Sequence, residues 1–352
     1  MALLDRSLRQ CRIWARLQIL TAMRNWVVPK NVPRNHHYVP QLLLRNFTDA
    51  DGKIWIYDTE RGACRRGNPA SAGFERDLYA LKSKSEQPNY GALEKFLAVN
   101  IDGPGADAIG RLLKHEQLSA AKWMDFLGFV AAQMQRTPAF FDRLSATTGP
   151  AMQESFERMS KFHTPFRETV RKRLSESGAT EQQIVEQFRL MDSGGYKVRP
   201  NRAFVMTRAL KMIELIHAEL QEMQWTILTL LDGEPDLIMS DHPVTLYDAG
   251  PDDEPPGPLG LRNPNIELVM PLSRRAVAIA RHTGPSSFGQ LCAGCADAIN
   301  KRTLTYARRF IFAPYQSESL LAEAVKLRGT GPKVRVRRVP LGKGLMIVHE
   351  YR

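Results

Sequence analysis

"WTILTLLDGEPDLIMS", residues 225–240, is where the hydrophobic pattern of this chain changes period. Just upstream, Phe204, Leu210, Ile213, Leu215 and Ile216 recur at helical spacing against a polar face holding Arg208, Lys211 and Glu214. From Trp225 on, the apolar residues come instead as short runs separated by turn residues. "WTILTLL" and "DLIMS", joined by "DGEP", read as a hairpin. "IELVMPL" and "RAVAIAR" read as a second strand pair, and "RRFIFAP" and "KVRVRRV" as further strands. Working back from the switch, residues 140–222 are mostly helical, with breaks near "SESGAT" and "DSGGYKVRPN". "NYGALEKFLAVNID" and "SAAKWMDFLGFVAAQMQR" are also expected as helices. The second has Ser119 as its N-cap and one apolar stripe of Trp123, Phe126, Leu127, Val130 and Met134. One early strand is expected in "KIWIYD", 53–58, after the turn "DADG". Helices come first, strands follow in hairpins, and there is no regular βαβ alternation. This order predicts an α+β fold, with a helical first half and a mostly antiparallel sheet formed by the second half.

The chain has 352 residues, 43% of them hydrophobic and 24% charged, an ordinary globular balance with ample material for a core. Its four cysteines, Cys11, Cys64, Cys292 and Cys295, are too few and too scattered for a disulfide framework, and a reducing, cytoplasmic setting fits them. The formal charge of +12 makes polyanions, nucleic acid among them, plausible partners, although the same surplus also serves as plain solubilising charge.

The first 26 residues carry arginines at 6, 9, 12, 16 and 24 against a single acid, Asp5. Leu4, Leu8, Ile13, Leu17 and Leu20 recur at roughly helical spacing. They read as a basic amphipathic helix, too interrupted by charge for a signal peptide or a membrane span. No other segment approaches transmembrane length. The linker "VPKNVPRN" then separates residues 1–34 from a single α+β domain over 35–352. Deletion of residues 1–30 is expected to leave that domain folded. "YDAGPDDEPPGPLGLRNPN", 247–265, is a long Pro/Gly-rich acidic loop of the kind that forms surface segments or lids.

A series of motifs runs through the chain in order: "HHYVPQLLLRNF", "IWIYD", "LEKFLA", "QMQRTP", "SDHPV", "MPLS" and "INKRTLTYARRFIF". The set resembles the bacterial family known as domain of unknown function 4238, over about residues 35 to 314. The opening motif is the specific one. The resemblance bears on the limits of the fold and implies no settled activity.

Within that frame a small set of polar residues sits in apolar surroundings. His36 and His37 are adjacent, so on a strand they face opposite ways and only one enters a given site. Pro40 keeps Val39 extended and can start the short helix "PQLLLRNF". The structural alternative is that one histidine bonds the helix start while the other packs. Glu94 interrupts "ALEKFLAV", Arg136 ends the "QMQR" helix where a cation suits the helix dipole, Asp241 leaves a strand at "SDHPV", and Asn300 lies in a helix. Arg136 can simply pair with Glu94 or Asp241 in a buried network. If these residues converge, His36 or His37 supplies a base or metal ligand, Glu94 and Asp241 supply hard oxygens, and Arg136 stabilises an anion. His37 and Asp241 are then the expected ligands of a divalent metal such as magnesium or manganese. Convergence further implies that segment 36–41 packs beside the "SDHPV" turn and the end of the "QMQR" helix.

Several chemistries find no support. After "HHYVP" there is no Asn and His at the spacing that completes an HNH nuclease site. "CAGC" has no second pair for zinc, and there is no Walker A, no GxGxxG after a strand and no nucleophile elbow. Two functional expectations follow: a metal-dependent phosphodiesterase or nuclease using His36, His37, Glu94, Arg136 and Asp241, or a non-catalytic module that binds nucleic acid or protein. In "KVRVRRV", Lys333, Arg335 and Arg337 fall on one strand face opposite Val334 and Val336. They form either a charge-protected edge or a phosphate-contacting strip.

Overall fold

The computed structural model describes residues 34–80, 91–250 and 259–332, and the backbone of two strands at 334–341 and 344–351. The expected N-terminal helix lies outside the described residues, as do the centre of the 247–265 loop and the side chains of Lys333, Arg335 and Arg337. Two compact units form, one from 34–140 with 208–332 and the other from 141–207 with 334–350. The architecture is α+β, as the change of period indicates.

In the first unit the motif strand β1 (Asn35–His37) leads through Pro40 into α1 (Gln41–Leu44), which tightens into a 3₁₀ turn over Arg45–Phe47. Leu43, Leu44 and Phe47 are fully buried, so this short helix anchors the start of the fold. A hairpin of β2 (Ile54–Asp58) and β3 (Ala63–Gly67) follows, and then β4 (Phe74–Arg76), which pairs antiparallel with β1 so that His36 faces Glu75 and His37 faces Phe74. Gly73 turns the chain back. At φ +64° its carbonyl accepts the N–H groups of Tyr38 and Val39, and a Cβ would lie 2.9 Å from the Val39 carbonyl oxygen.

Next comes one continuous helical stretch: α2 (Ala92–Leu97), a π-helical turn over Ala98–Asp102, and α3 (Gly103–Leu112). Pro104 explains the wide turn. Inside a helix, a proline lacks its N–H and crowds the carbonyl four residues back. Here the Gly103 N–H bonds to Ala98 O, five residues back, which widens the helix just before the ring. Helix α4 (Ala120–Gln135) has the expected Ser119 cap, whose hydroxyl accepts from Lys122 N. From Phe126 onward it is buried on nearly all sides, beyond the single stripe expected. Trp225, itself fully buried, packs edge-on against Phe126 and Trp123.

The sheet half departs from expectation at the switch segment itself. β5 (Gln224–Thr229) pairs with β9 (Ala276–Arg281) and, in parallel, with β10 (Ser287–Gln290). β6 (Met239–Ser240) joins another sheet through β11 (Phe310–Ala313). The two runs therefore do not form a hairpin. Leu230 N bonds to Arg275 O and Leu237 N to Arg274 O, while Arg275 donates its guanidinium to the carbonyls of Leu231 and Glu234, so the "DGEP" turn wraps the 274–275 turn instead of closing on itself. The β8 (Ile266–Ser273) to β9 hairpin is as expected. Among the described residues the larger sheet runs β10-β5-β9-β8-β7, with β7 at Thr245–Asp248, and the smaller β3-β2-β11-β6. Two further helices, α9 (Cys295–Tyr306) and α10 (Glu318–Leu327), cover the smaller sheet through Leu304, Ala307 and Ala324, which pack on Tyr57, Ile238 and Ile311.

The second unit is built from α5 (Pro138–Phe162), α6 (Thr164–Glu176), α7 (Glu181–Ser193) and the start of α8 (Arg202–Gln221), with the hairpin of β12 (Val334–Leu341) and β13 (Gly344–Tyr351). Ile184, Phe188 and Met191 bury against Phe156, Phe166 and Tyr196. Helix α7 opens with a reciprocal capping box between Thr180 and Gln183. No helix among the described residues is long and apolar enough to cross a membrane.

Candidate functional site

Strand β1 separates the two histidines as alternation requires. His36 is fully buried, stacked on Tyr79, and its Nδ1 accepts the Tyr79 backbone N–H at 2.8 Å. Accepting at Nδ1 requires the ring to be neutral, with its proton on Nε2. His37 points to the other side with 14% of its side chain exposed. Its backbone N–H donates to Glu94 Oε1 at 3.0 Å, and its Nδ1 stands 3.7 Å from the same oxygen, ion-pair range for a protonated ring. Its Nε2 lies 3.2 Å from the amide of Gln41, the first residue of α1. His37 thus touches the helix start and one carboxylate at once.

Glu94 comes from the first turn of α2 and keeps 23% of its side chain exposed. Its second oxygen, Oε2, is buried and accepts no hydrogen bond from the described residues. A carboxylate oxygen left open in this way is costly unless something polar meets it there.

Beneath this pair lies Arg136, the C-cap of α4, only 2% exposed. It pairs with Asp102, Nη2 to Oδ1 at 2.8 Å and Nη1 to Oδ2 at 3.1 Å, and not with Glu94 or Asp241 as the sequence suggests. Gln133, with its amide oriented to suit its neighbours, turns its oxygen to Arg136 (Nε at 2.8 Å) and its nitrogen to Tyr38 O at 3.2 Å. Phe129 lies 6.0 Å below the guanidinium. The Tyr79 hydroxyl stands 3.3 Å from the carbonyls of both His37 and Arg136, tying β1 to the end of α4. Burial pushes the Tyr79 hydroxyl well above its ordinary range. Burial also raises Asp102, with Arg136 pulling the other way and Glu94 adding to the rise.

Asp102 was missing from the sequence candidates, yet a signal for it exists. It follows Glu94 by eight residues. In a regular α-helix that spacing overshoots two turns by about 80°. The wide turn before Pro104 absorbs the excess and returns Asp102 toward Glu94. An acid eight residues on, just ahead of a Gly-Pro, was the clue.

Asp241 is a separate matter. Burial raises the Tyr38 hydroxyl, and the charge of Asp241 adds to the rise. Through Gln133 and the Tyr79 hydroxyl the motif segment lies beside the end of α4. Both carboxylate oxygens of Asp241 are already used, however: Oδ1 accepts the N–H of Arg308 at 2.8 Å, and Oδ2 those of Arg309 and Phe310 at 2.7 and 2.9 Å. Asp241 fastens the entry to β11 through these three backbone bonds. Asn300 is similarly committed, to Ile238 N and Asp236 O. Among the described residues no group of three or more His, Cys, Asp or Glu is disposed to hold a metal ion. His37, Glu94, Asp102 and Arg136 make one cluster; His36 and Asp241 belong to the scaffold around it.

Residues 35–317 match the family described as Protein of unknown function (DUF4238), which covers most of the chain, and the protein belongs to that family. No curated protein and no solved structure matches it.

Proposed function

We propose that this protein hydrolyses phosphodiesters, with His37 as the general acid–base and Glu94 as the carboxylate that orients it. The observation that carries the reading is the half-covered His37–Glu94 pair, whose second carboxylate oxygen is buried with no hydrogen bond from the described residues. Geometry supports it: His37 Nδ1 stands 3.7 Å from Glu94 Oε1, and the same oxygen accepts the His37 backbone N–H. With its Nδ1–H toward Glu94 and its Nε2 released from the Gln41 amide, neutral His37 takes a proton from water at Nε2 as the water oxygen attacks phosphorus. The P–O bond breaks, and the proton passes to the departing oxygen. Arg136 acts here as the buried counter-ion of Asp102, not as a contact to substrate. For magnesium or manganese, the described residues offer no group of three or more His, Cys, Asp or Glu disposed to hold the ion. The formal charge of +12 favours a polyanionic substrate. Assay of the purified chain on bis(p-nitrophenyl) phosphate, single-stranded RNA and single-stranded DNA, with either cation and with chelator, tests the reading. No turnover on any of them overturns it.

A second reading, a non-catalytic module binding nucleic acid or protein, draws on a different observation. His36, Arg136 and Asp241 are each spent on internal bonds, as in a purely structural motif. Under that reading the basic residues Lys333, Arg335 and Arg337 carry the binding.

A further inference from the structure

Between β10 and α9 lies the turn "CAGC". The chain leaves strand β10 at Gln290 and enters α9 only at Cys295. Cys292 and Cys295 are joined by a disulfide. Cys292 is exposed, while Cys295 is half-covered at the first position of the helix. Gly294, at φ +73°, forms the N-cap, and its N–H meets both carboxylate oxygens of Glu234 at 3.1 Å. The pair takes no part in the His37–Glu94 cluster.

We propose that Cys292–Cys295 is an exchange-active thiol–disulfide couple that reacts with small thiols and dithiols from solution. Cys292 is the sulfur attacked and Cys295 the leaving thiolate. Three observations combine. The two-residue spacing is that of redox pairs. Exchange needs an approachable sulfur, and Cys292 is the exposed one. The departing sulfur must bear negative charge, and Cys295 opens a 12-residue helix whose N-terminal end favours an anion, a field the Glu234 carboxylate and Asp297 partly offset. The surrounding turn is also held without the S–S bond, by Gly294 on Glu234 and by Asn300 on Ile238 and Asp236, so opening the bond leaves the fold in place. In the reaction a thiolate attacks Cys292 Sγ, the Cys292–Cys295 bond breaks, and its electron pair goes to Cys295. A second thiol then attacks the mixed disulfide and releases Cys292. The protein gains two electrons and two protons, and two thiols are oxidised to one disulfide.

The test uses the full chain carrying Cys11→Ser and Cys64→Ser, equilibrated in glutathione buffers, trapped by alkylation and mapped by peptide mass. The pair should open in reduced glutathione and close again in oxidised glutathione, with a cooperative melt in both forms. In samples acid-quenched early in the reduction, glutathione should be found as a mixed disulfide on Cys292 and not on Cys295, because Cys292 is the sulfur attacked. The proposal is overturned if the bond in the folded protein resists both reduced glutathione and dithiothreitol, if the opened form no longer melts cooperatively, or if the trapped glutathione sits on Cys295. All three outcomes are read on the intact pair.

Discussion

Arg136 reaches back to Asp102, 34 residues earlier in the chain, through two contacts of 2.8 and 3.1 Å. This bond joins the end of α4 to the wide helical turn that directly follows α2, the helix carrying Glu94. A buried ion pair of this kind is a weak source of net stability, but removing one partner strands the other. Arg136→Leu should therefore cost roughly 3–5 kcal/mol of folding free energy, and Arg136→Leu with Asp102→Leu should recover much of that loss. Urea unfolding of the three proteins checks this.

The approach of α3 to α4 depends on Gly105. A Cβ there would lie 2.5 Å from the ring of Phe129, the residue beneath the Arg136 guanidinium. Gly105→Ala should destabilise the protein by about 1–3 kcal/mol through overpacking, despite alanine's better helix propensity. A thermal melt that is unchanged or improved would show that the two helices can part at little cost.

Glu267, on β8, is gripped by Arg302 at 2.7 Å and by Arg281 at 2.8 Å through its Nε. Burial raises its carboxyl, but the two arginines outweigh burial and hold it below the ordinary range. A folded-state value below the unfolded one, about 4.3, means that the stabilisation is present above that pH and lost as pH falls through the folded value. Glu267→Gln should be less stable than the parent at neutral pH, with the difference shrinking on acidification. Denaturant midpoints measured from pH 7 down into the acid limb read this directly.

The basic strand supplies a discriminating experiment for the second functional reading. Replacing Lys333, Arg335 and Arg337 together by glutamine should weaken nucleic-acid binding uniformly across sequences and lower the slope of log affinity against log salt by up to about three phosphate contacts. Unchanged affinity and slope would assign the strip to solubility.

Much of the architecture was legible where local signals and tertiary partners agree. The Ser119 cap, the burial of Phe126, Leu127 and Val130, and the β8–β9 hairpin all follow from pattern alone. The "DGEP" hairpin failed because its flanking backbone groups find the 274–275 turn first, a partner about 40 residues away that periodicity cannot see. The site was half legible for the same reason. His37 and Glu94 were identifiable as polar residues in apolar contexts, and the opposite facing of the two histidines followed from strand geometry. The partner of Arg136 was not, because the eight-residue offset of Asp102 makes sense only once the helix widens ahead of Pro104. Asp241 misled because a buried acid that caps a strand entry and one that serves in a catalytic site look alike until its hydrogen bonds are known.

If Glu94 and His37 act as one acid–base pair, it shows in the turnover of Glu94→Gln and His37→Ala on bis(p-nitrophenyl) phosphate beside the parent chain, with melting curves alongside. Each variant should remain folded and lose kcat by about 10²–10⁴-fold, and the double variant should be little worse than either single one, because the pair works as a unit. Turnover that survives either substitution in a folded protein would contradict it.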